Sequence, residues 1–264
     1  MRIALGLEYA GSGFMGWQSQ PGGNTVQDVL EMALTRIAGM PLRVICAGRT
    51  DAGVHALAQV VHFDTAVNRP MTAWVRGTNA HLPSGVVVRW ALPVTDEFHA
   101  RFSARSRAYR YALLNRPVRP GLLAGKVGWC HRPLDLAVMQ AAASCLAGEH
   151  DFSSFRAAGC QAKTPIKTLY RCEVSRQGEQ ILIDCHANAF LHHMVRNIAG
   201  ALVYVGMGRK PVDWLAQLLV MRDRSQGAPT FSPDGLYLVG VEYDQRWGLP
   251  QQGRIMTNPQ LSFI

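Results

Sequence analysis

The order of its strands and helices is the feature of this 264-residue chain that most constrains its fold. Residues 2–9 alternate apolar with small or charged side chains, which predicts a strand. Residues 26–37 have apolar side chains at helical spacing, behind a Thr25–Asp28 capping box. Further strands are predicted at 42–46, 58–64 and 85–91, and a helix at 71–79. The resulting order, β-α-β-β-α-β, is that of a split-βαβ or ferredoxin-like unit.

The second part of the chain repeats this order with one additional helix. Strands are predicted at 105–115, 168–175, 181–188 and 236–243, and helices at 135–147, 190–205 and 211–221. We therefore predict an α+β fold of two tandem ferredoxin-like units, whose antiparallel sheets meet at a central basic cleft. The boundary is expected between Asp96 and Arg105, which gives units of residues 1–100 and 101–264. The tail 247–264 fits either a loose segment or one that docks on a neighbour.

The charge balance favours an anionic partner. Lys plus Arg is 27 and Asp plus Glu is 18, a formal net charge of +9. Lys occurs only at Lys126, Lys163, Lys167 and Lys210, and the many arginines offer the planar fork that suits phosphates and base edges. The simpler alternative is that the positive charge only keeps the protein soluble.

Other features of composition and spacing predict a cytoplasmic protein without a membrane span or a metal site. No apolar run reaches the ~18 residues of a membrane helix, and residues 1–9 do not resemble a secretory signal. None of the six cysteines forms a C-x-x-C pair, so free thiols in a reducing compartment are expected. His192 and His193 are expected to diverge on a helix, which argues against a shared metal.

A glycine-rich segment, Gly11-Ser12-Gly13-Phe14-Met15-Gly16, literally matches the G-x-G-x-x-G fingerprint of dinucleotide-binding folds. In those folds the third glycine opens a helix whose N-terminus meets the pyrophosphate. Here seven residues, 17–23, follow before the helix that starts near Thr25. The segment is therefore interpreted as a flexible loop, and a nucleotide-dependent enzyme is disfavoured.

A second glycine-punctuated loop, Gly48 to His55, places the carboxylate of Asp51 between two glycines. Glycines permit a tight turn and let a ligand approach the backbone closely. Asp51 fits a nucleophile, a general base or a metal ligand. The alternative, which the pattern alone favours, is a turn aspartate that bonds its own backbone.

Two further segments combine cationic and aromatic side chains. In residues 101–111, Arg105, Arg107, Tyr109 and Tyr111 share one strand face, which suits either RNA contacts or a solvated edge strand with tyrosine rims. In the predicted helix 190–205 the core arc is Phe190, Met194, Ile198, Leu202 and Val205. Arg196 lies opposite with His192, facing either solvent or the junction between the units.

Several separated motifs resemble the family of tRNA pseudouridine synthase A. They are Tyr9-x-Gly11-x-x-Phe14-x-Gly16-Trp17-Gln18-x-Gln20, Thr25-Val26-Gln27, Cys46 to Ala56, Phe102-x-Ala104-Arg105 with Arg107-x-Tyr109-x-Tyr111, Asp151-Phe152 with Phe155, Phe190-Leu191-x-x-Met194-Val195-Arg196 with Gly200, and Gly206-x-Gly208. One departure occurs near the end, where the family's Thr-Ala-Pro before Gly-Leu is replaced by Ala228 to Ser232 ahead of Pro233-Asp234-Gly235-Leu236. This departure puts the shape of the adjoining loop in doubt.

The resemblance implies a cofactor-independent isomerase that converts uridines 38, 39 and 40 of the tRNA anticodon stem-loop to pseudouridine, after flipping the base. It also implies a homodimer on a tandem ferredoxin-like fold. Transferred to this sequence, Asp51 is the catalytic nucleophile, Arg196 its ion-pair partner and Tyr109 the ring stacked on the target base. Leu236 packs on the other side of the base, and Arg49 fills the gap that the base leaves. The alternative is a non-catalytic RNA-binding protein on the same scaffold.

Overall fold

The computed structural model describes residues 1–250, which mix α and β structure in two compact units. Unit 1 contains Met1–Arg105 together with residues 237–250, and unit 2 contains Ser106–Leu236. Residues 251–264 lie outside the described chain, so only the start of the predicted tail is seen. The described strands are β1 (Arg2–Tyr9), β2 (Ile45–Cys46), β3 (His55–Asp64), β4 (Val86–Val94), β5 (Ala104–Asn115), β6 (Gly128–Cys130), β7 (Gly148–Asp151), β8 (Ile166–Gln177), β9 (Gln180–Ala187) and β10 (Leu236–Tyr243); the α-helices are α1 (Val26–Ala38), α2 (Leu136–Ala143), α3 (Met194–Gly206) and α4 (Trp214–Met221).

Unit 1 is built on a sheet with the order β4-β1-β3-β10, and β2 pairs with β3 as well. β1 is antiparallel to both β3 and β4, whereas β10 runs parallel to β3 through Tyr237 and Leu238. The predicted capping box opens α1, because the Thr25 hydroxyl accepts a hydrogen bond from the Asp28 N–H. The predicted helix at 71–79 forms and contains a π-helical turn, Ala73–Gly77, whose buried Trp74 packs edge-on against Phe63.

Unit 2 is built on a sheet with the order β5-β9-β8-β7, in which each neighbouring pair is antiparallel. The predicted hairpin joins β8 to β9, with β8 longer than expected, β9 one residue earlier than expected and the turn at Gly178 and Glu179. The core of the unit contains the rings of Tyr111, Phe152 and Phe155, all of which are fully buried.

The prediction of purely antiparallel sheets was wrong in both units. β10 is parallel to β3, and the short strand β6 is parallel to β5. Parallel neighbours require a long connection, and the segments before β6 and β10 do not reveal from sequence which strand each will join. The short strands β6 and β7 were also missed, and the predicted helix 135–147 ends earlier, because α2 is followed by a 3-10 turn at Ser144–Leu146.

The start of the third helix was also predicted wrongly. α3 begins at Met194, because His193 has a left-handed backbone (φ 63°) that a helix cannot continue through. Phe190 is therefore not part of the helical core arc, and His192 does not share a helical face with Arg196. The rings of His192 and His193 do not diverge, since their centroids lie 4.0 Å apart.

Across residues 1–250, the helices are all too short or too polar to cross a lipid bilayer.

Candidate active site

The loop between β2 and β3 in unit 1 carries Arg49 and Asp51. Arg49 is exposed, Asp51 is half-buried, and Thr50 between them is buried. The Asp51 carbonyl accepts a hydrogen bond from the Val54 N–H (3.1 Å), which closes a tight turn through the main chain. The loop therefore presents an acidic and a basic side chain on either side of a fixed residue.

Hydrogen bonds from Tyr9 and Gln59 fix the position of this loop. The Tyr9 hydroxyl lies 2.8 Å from the Thr50 hydroxyl in a buried hydrogen bond. The Gln59 amide group donates to the Gly48 carbonyl (2.7 Å) and to the Tyr9 hydroxyl (3.3 Å). Because Gln59 is fully buried, these bonds satisfy a polar group that would otherwise be costly to bury. The loop is thus tied to the two central strands β1 and β3.

The glycine-rich segment after β1 also contacts the Asp51 loop and fixes its position. The Trp17 N–H donates to the Thr50 carbonyl (2.9 Å), and the Trp17 ring is buried. Gly16 has φ +87°, and a Cβ there would lie 2.9 Å from the Thr50 carbonyl oxygen. Only glycine fits both the backbone angle and this close approach. The segment that resembles a dinucleotide fingerprint therefore supports the Asp51 loop.

The electrostatic environment of the loop is positive. Burial raises the pKa of the Cys46 thiol to about 12, while the guanidinium groups of Arg49 and Arg101 act in the opposite direction. Both arginines therefore lie close enough to influence the same buried sulfur, which directly precedes the loop.

Tyr109 lies in β5 of unit 2, and its side chain is buried. The Phe190 ring packs edge-on against the Tyr109 ring, with centroids 5.0 Å apart. The interpretation of this strand as a solvated edge with tyrosine rims is wrong, because Tyr109 and Tyr111 are both buried. On the opposite face, Arg110 forms a buried ion pair with Asp184 of β9 (2.7 Å).

Arg196 lies in the first turn of α3, in unit 2, and is half-buried. Its Nε donates to the Phe231 carbonyl (2.9 Å), and its own carbonyl accepts from the Phe231 N–H (3.4 Å). These bonds fix the direction of the guanidinium group. They also dock the segment that departs from the family pattern onto α3.

The same segment continues to Leu236, the first residue of β10, which is buried. The Tyr111 hydroxyl donates to the Ser232 carbonyl (2.7 Å). Burial and the nearby charge of Asp234 raise the pKa of Tyr111 well above its ordinary value, with Arg196 opposing them. A Cβ at Gly235 would lie 2.4 Å from the Ala112 carbonyl oxygen, so glycine permits this close packing. Unit 2 therefore brings together Arg196 and the segment that ends at Leu236.

Sequence reasoning assigned no role to the residues that hold these side chains. Tyr9, Gly16 and Trp17 were recognised only as parts of motifs, Phe190 was assigned to a helical core arc, and Gln59 was not singled out. The sequence feature that could have pointed to a hydrogen-bonded loop was a glutamine within a largely apolar predicted strand.

Comparisons with known proteins identify the family of this chain. A family model described as tRNA pseudouridine synthase matches residues 7–103 and 142–244. A protein called tRNA pseudouridine synthase A from Dechloromonas aromatica is 63% identical to this chain, over 95% of this chain and 95% of that protein. A protein of the same name from Aromatoleum aromaticum is 62% identical to it, over 100% of both. A chain of a solved Cbf5-Nop10-Gar1 complex aligns with 89% of this chain and with 48% of its own length. The sequence identity of 13% and the TM-score of 0.36 are too low to support an inference.

The family match covers most of the chain, and the relatives match over their full length. The chain therefore belongs to the tRNA pseudouridine synthase family. It is an isomerase that acts on uridine in tRNA.

Proposed function

We propose that this enzyme converts uridines 38, 39 and 40 in the anticodon stem-loop of tRNA to pseudouridine, with Asp51 as the nucleophile. The observation that carries the proposal is the anchoring of the Asp51 loop. Thr50, the residue before Asp51, is bonded through its side chain to Tyr9 and through its carbonyl to Trp17. A carboxylate on a rigid support can be held in the geometry that the reaction needs.

The reaction rearranges one nucleoside without adding or removing atoms. The bond between uracil N1 and ribose C1′ breaks, the ring turns, and C5 forms a new bond to C1′. The hydrogen on C5 is lost as a proton, and N1 gains one. Attack by Asp51 on the ribose or on the base, or removal of a ribose proton, each requires an ionised carboxylate.

The remaining site residues act on the flipped uridine and on the helix it leaves. Arg196 is the cationic partner of the Asp51 carboxylate, and its bond to Phe231 keeps its guanidinium group in one direction. Tyr109 stacks on the uracil and Leu236 packs against its other side. Exposed Arg49 fills the gap in the RNA and lowers the cost of flipping.

The proposed scaffold is a tandem of ferredoxin-like units with a basic cleft, assembled as a cytoplasmic homodimer that holds tRNA. The order β4-β1-β3, with β2 on β3, is the order of a ferredoxin-like sheet, and β5-β9-β8 repeats three of its positions. The net charge of +9 suits a polyanionic substrate.

The test measures tritium release from an anticodon stem-loop transcript that carries 5-tritiated uridine. Asp51→Asn keeps the shape of the side chain and removes its charge, so release should stop while the Kd for tRNA stays within a few-fold of the parent. Asp213→Asn makes the same charge change at an exposed position and should leave both quantities unchanged. Substantial turnover by Asp51→Asn contradicts the nucleophilic role. Tight binding without turnover by the parent protein would instead identify a non-catalytic RNA-binding protein.

A further inference from the structure

An exposed aromatic side chain precedes β5 in unit 1. Phe102 is 75% exposed, although the turn that carries it is densely hydrogen-bonded. Isolated apolar side chains are common on protein surfaces and need no explanation. Phe102 differs from them because its surroundings fix its position and combine it with positive charge.

The backbone of the turn is fixed from both ends. His99 and Ser103 bond to each other twice, through the Ser103 N–H to the His99 carbonyl (2.8 Å) and the His99 N–H to the Ser103 hydroxyl (3.0 Å). The N–H of Ala100 donates to the His62 ring (3.1 Å), and the Ala100 carbonyl accepts from the Tyr243 hydroxyl (2.6 Å). The turn therefore belongs to the packed part of unit 1.

The His99 ring fixes Phe102 itself. Its Nδ1 accepts hydrogen bonds from the N–H groups of Arg101 and Phe102, each at 3.2 Å. The same ring stacks on the Phe102 ring, with centroids 4.3 Å apart and an interplanar angle of 27°. An aromatic ring held in this way loses little conformational freedom on binding, so its contacts contribute more to affinity.

One positive charge lies against the ring. The Arg101 guanidinium lies over Phe102, 5.5 Å from the ring centroid. Arg101 also influences the Cys46 thiol, as Arg49 of the Asp51 loop does. Arg101, the neighbour of Phe102 in the chain, therefore lies near the buried sulfur that precedes the Asp51 loop. Cations beside an exposed aromatic face are the combination that binds unpaired nucleotides, because the ring stacks on a base while the cations meet phosphates.

We propose that Arg101 and Phe102 form a stacking platform for an unpaired base of the tRNA, distinct from the uridine that reacts at Asp51. The assignment rests on the proposed function, since it concerns the same substrate. The platform contributes to affinity and takes no part in the chemical step. Its partner is RNA because the platform is cationic and the substrate class of the family is tRNA.

The test uses tRNA affinity in an Asp51→Asn background, which separates binding from turnover. Stacking of one base on an aromatic ring corresponds to about 1–3 kcal/mol, so Phe102→Ala should raise the Kd by about 5- to 150-fold. Phe102→Trp should keep the parent affinity, because it retains an aromatic face. Phe102→Leu, which retains apolar area alone, should resemble Phe102→Ala. In the enzyme with Asp51 intact, Phe102→Ala should raise KM by a similar factor and leave kcat within about twofold.

The control is Val220→Ala, which shortens an apolar side chain that is 82% exposed on α4, and it should change nothing. Because Phe102 is exposed, its truncation leaves no cavity, and the unfolding midpoint should fall only slightly, through loss of the stack with His99. Unchanged affinity in Phe102→Ala, or parent-like affinity in Phe102→Leu, overturns the platform. A change in sedimentation without a change in Kd would instead identify a contact between protein copies. The platform fails in these measurements whether or not Asp51 is the nucleophile, so the two proposals are tested separately.

Discussion

The hydroxyl groups of Tyr9 and Thr50 lie 2.8 Å apart in a buried hydrogen bond that joins β1 to the loop carrying Asp51. The bond spans 41 positions of the sequence. It links the proposed nucleophile to one of the central strands of unit 1. The position of the carboxylate therefore depends on a residue that has no chemical role of its own.

Tyr9→Phe should slow the reaction more than it weakens binding. The change keeps the ring that packs against Trp17 and removes the hydroxyl shared by Thr50 and Gln59. We expect kcat to fall about tenfold or more, since small displacements of a reacting group are costly. KM and tRNA affinity should stay within about twofold, and stability should fall by about 1 kcal/mol. Single-turnover tritium release, tRNA titration and urea unfolding measure these quantities.

Tyr243→Phe is the matched control, because it also removes a hydrogen-bonded tyrosine hydroxyl from unit 1. It should cost similar stability and leave kcat unchanged. If the two variants lose the same fraction of kcat, Tyr9 has only a structural role.

Gly16→Ala should displace the Asp51 loop. The φ of +87° disfavours any side chain, and the new Cβ would lie 2.9 Å from the Thr50 carbonyl oxygen. We expect a loss of about 1–3 kcal/mol in unfolding free energy and a fall in kcat. Gly13→Ala, in the same segment, adds a methyl group with nothing within 4 Å and should change neither. Parent-like activity in Gly16→Ala would show that the loop can shift without consequence.

Much of the fold could be predicted because its signals are local. Alternation alone gave β1, and the Thr25–Asp28 pair gave the start of α1, which the structure confirms. The start of α3 could not be predicted, because contacts from a distant segment set it. The His192 carbonyl accepts from the Ala157 N–H (3.0 Å), and the His192 N–H donates to the Cys160 sulfur (3.3 Å). These contacts hold the residues before Met194 outside the helix.

The candidate site also has a part that could be predicted from the sequence and a part that could not. Its loop and its acidic residue were visible in the sequence, since glycines around Asp51 indicate a tight turn. The residues that support the loop were not, because Gln59 and Tyr9 reach it only after β1 and β3 have paired. Residue spacing along the chain contains no information on such contacts. The family motifs included Tyr9, but they assigned it no structural role.

Acidification should destabilise the protein through His62. Burial, with the nearby charges of Arg2 and His99, lowers the pKa of His62 to about 4 from an ordinary 6.5. The folded state therefore favours the neutral ring. The stabilisation is complete above pH 6.5 and is lost as the pH falls toward 4. By linkage, the loss between pH 7 and pH 4.5 is about 2–3 kcal/mol.

His62→Asn provides the comparison, because the Asn side chain can still accept from the Ala100 N–H and does not titrate in this range. Urea midpoints at pH 7 and pH 4.5 should differ less in the variant than in the parent. The His99 pKa is also lowered, first by burial and then by Arg2, so a smaller slope persists in the variant. Equal slopes in the two proteins would refute the assignment to His62.

The buried ion pair on the strand face opposite Tyr109 should matter for stability mainly when one partner is lost. Removing one charge should destabilise the protein strongly, and replacing both by apolar residues should destabilise it much less. Arg110 and Asp184 face each other across β5 and β9, with bonds of 2.7 and 2.9 Å, and both residues are buried. Arg110→Met leaves the Asp184 carboxylate buried without its guanidinium partner, so a loss of about 3–5 kcal/mol is expected. The double variant Arg110→Met, Asp184→Leu removes both charges and should recover most of that loss. Urea unfolding of all three proteins tests this. The prediction is wrong if the double variant is no more stable than Arg110→Met. In that case the ion pair stabilises the protein by more than the cost of burying its two charges.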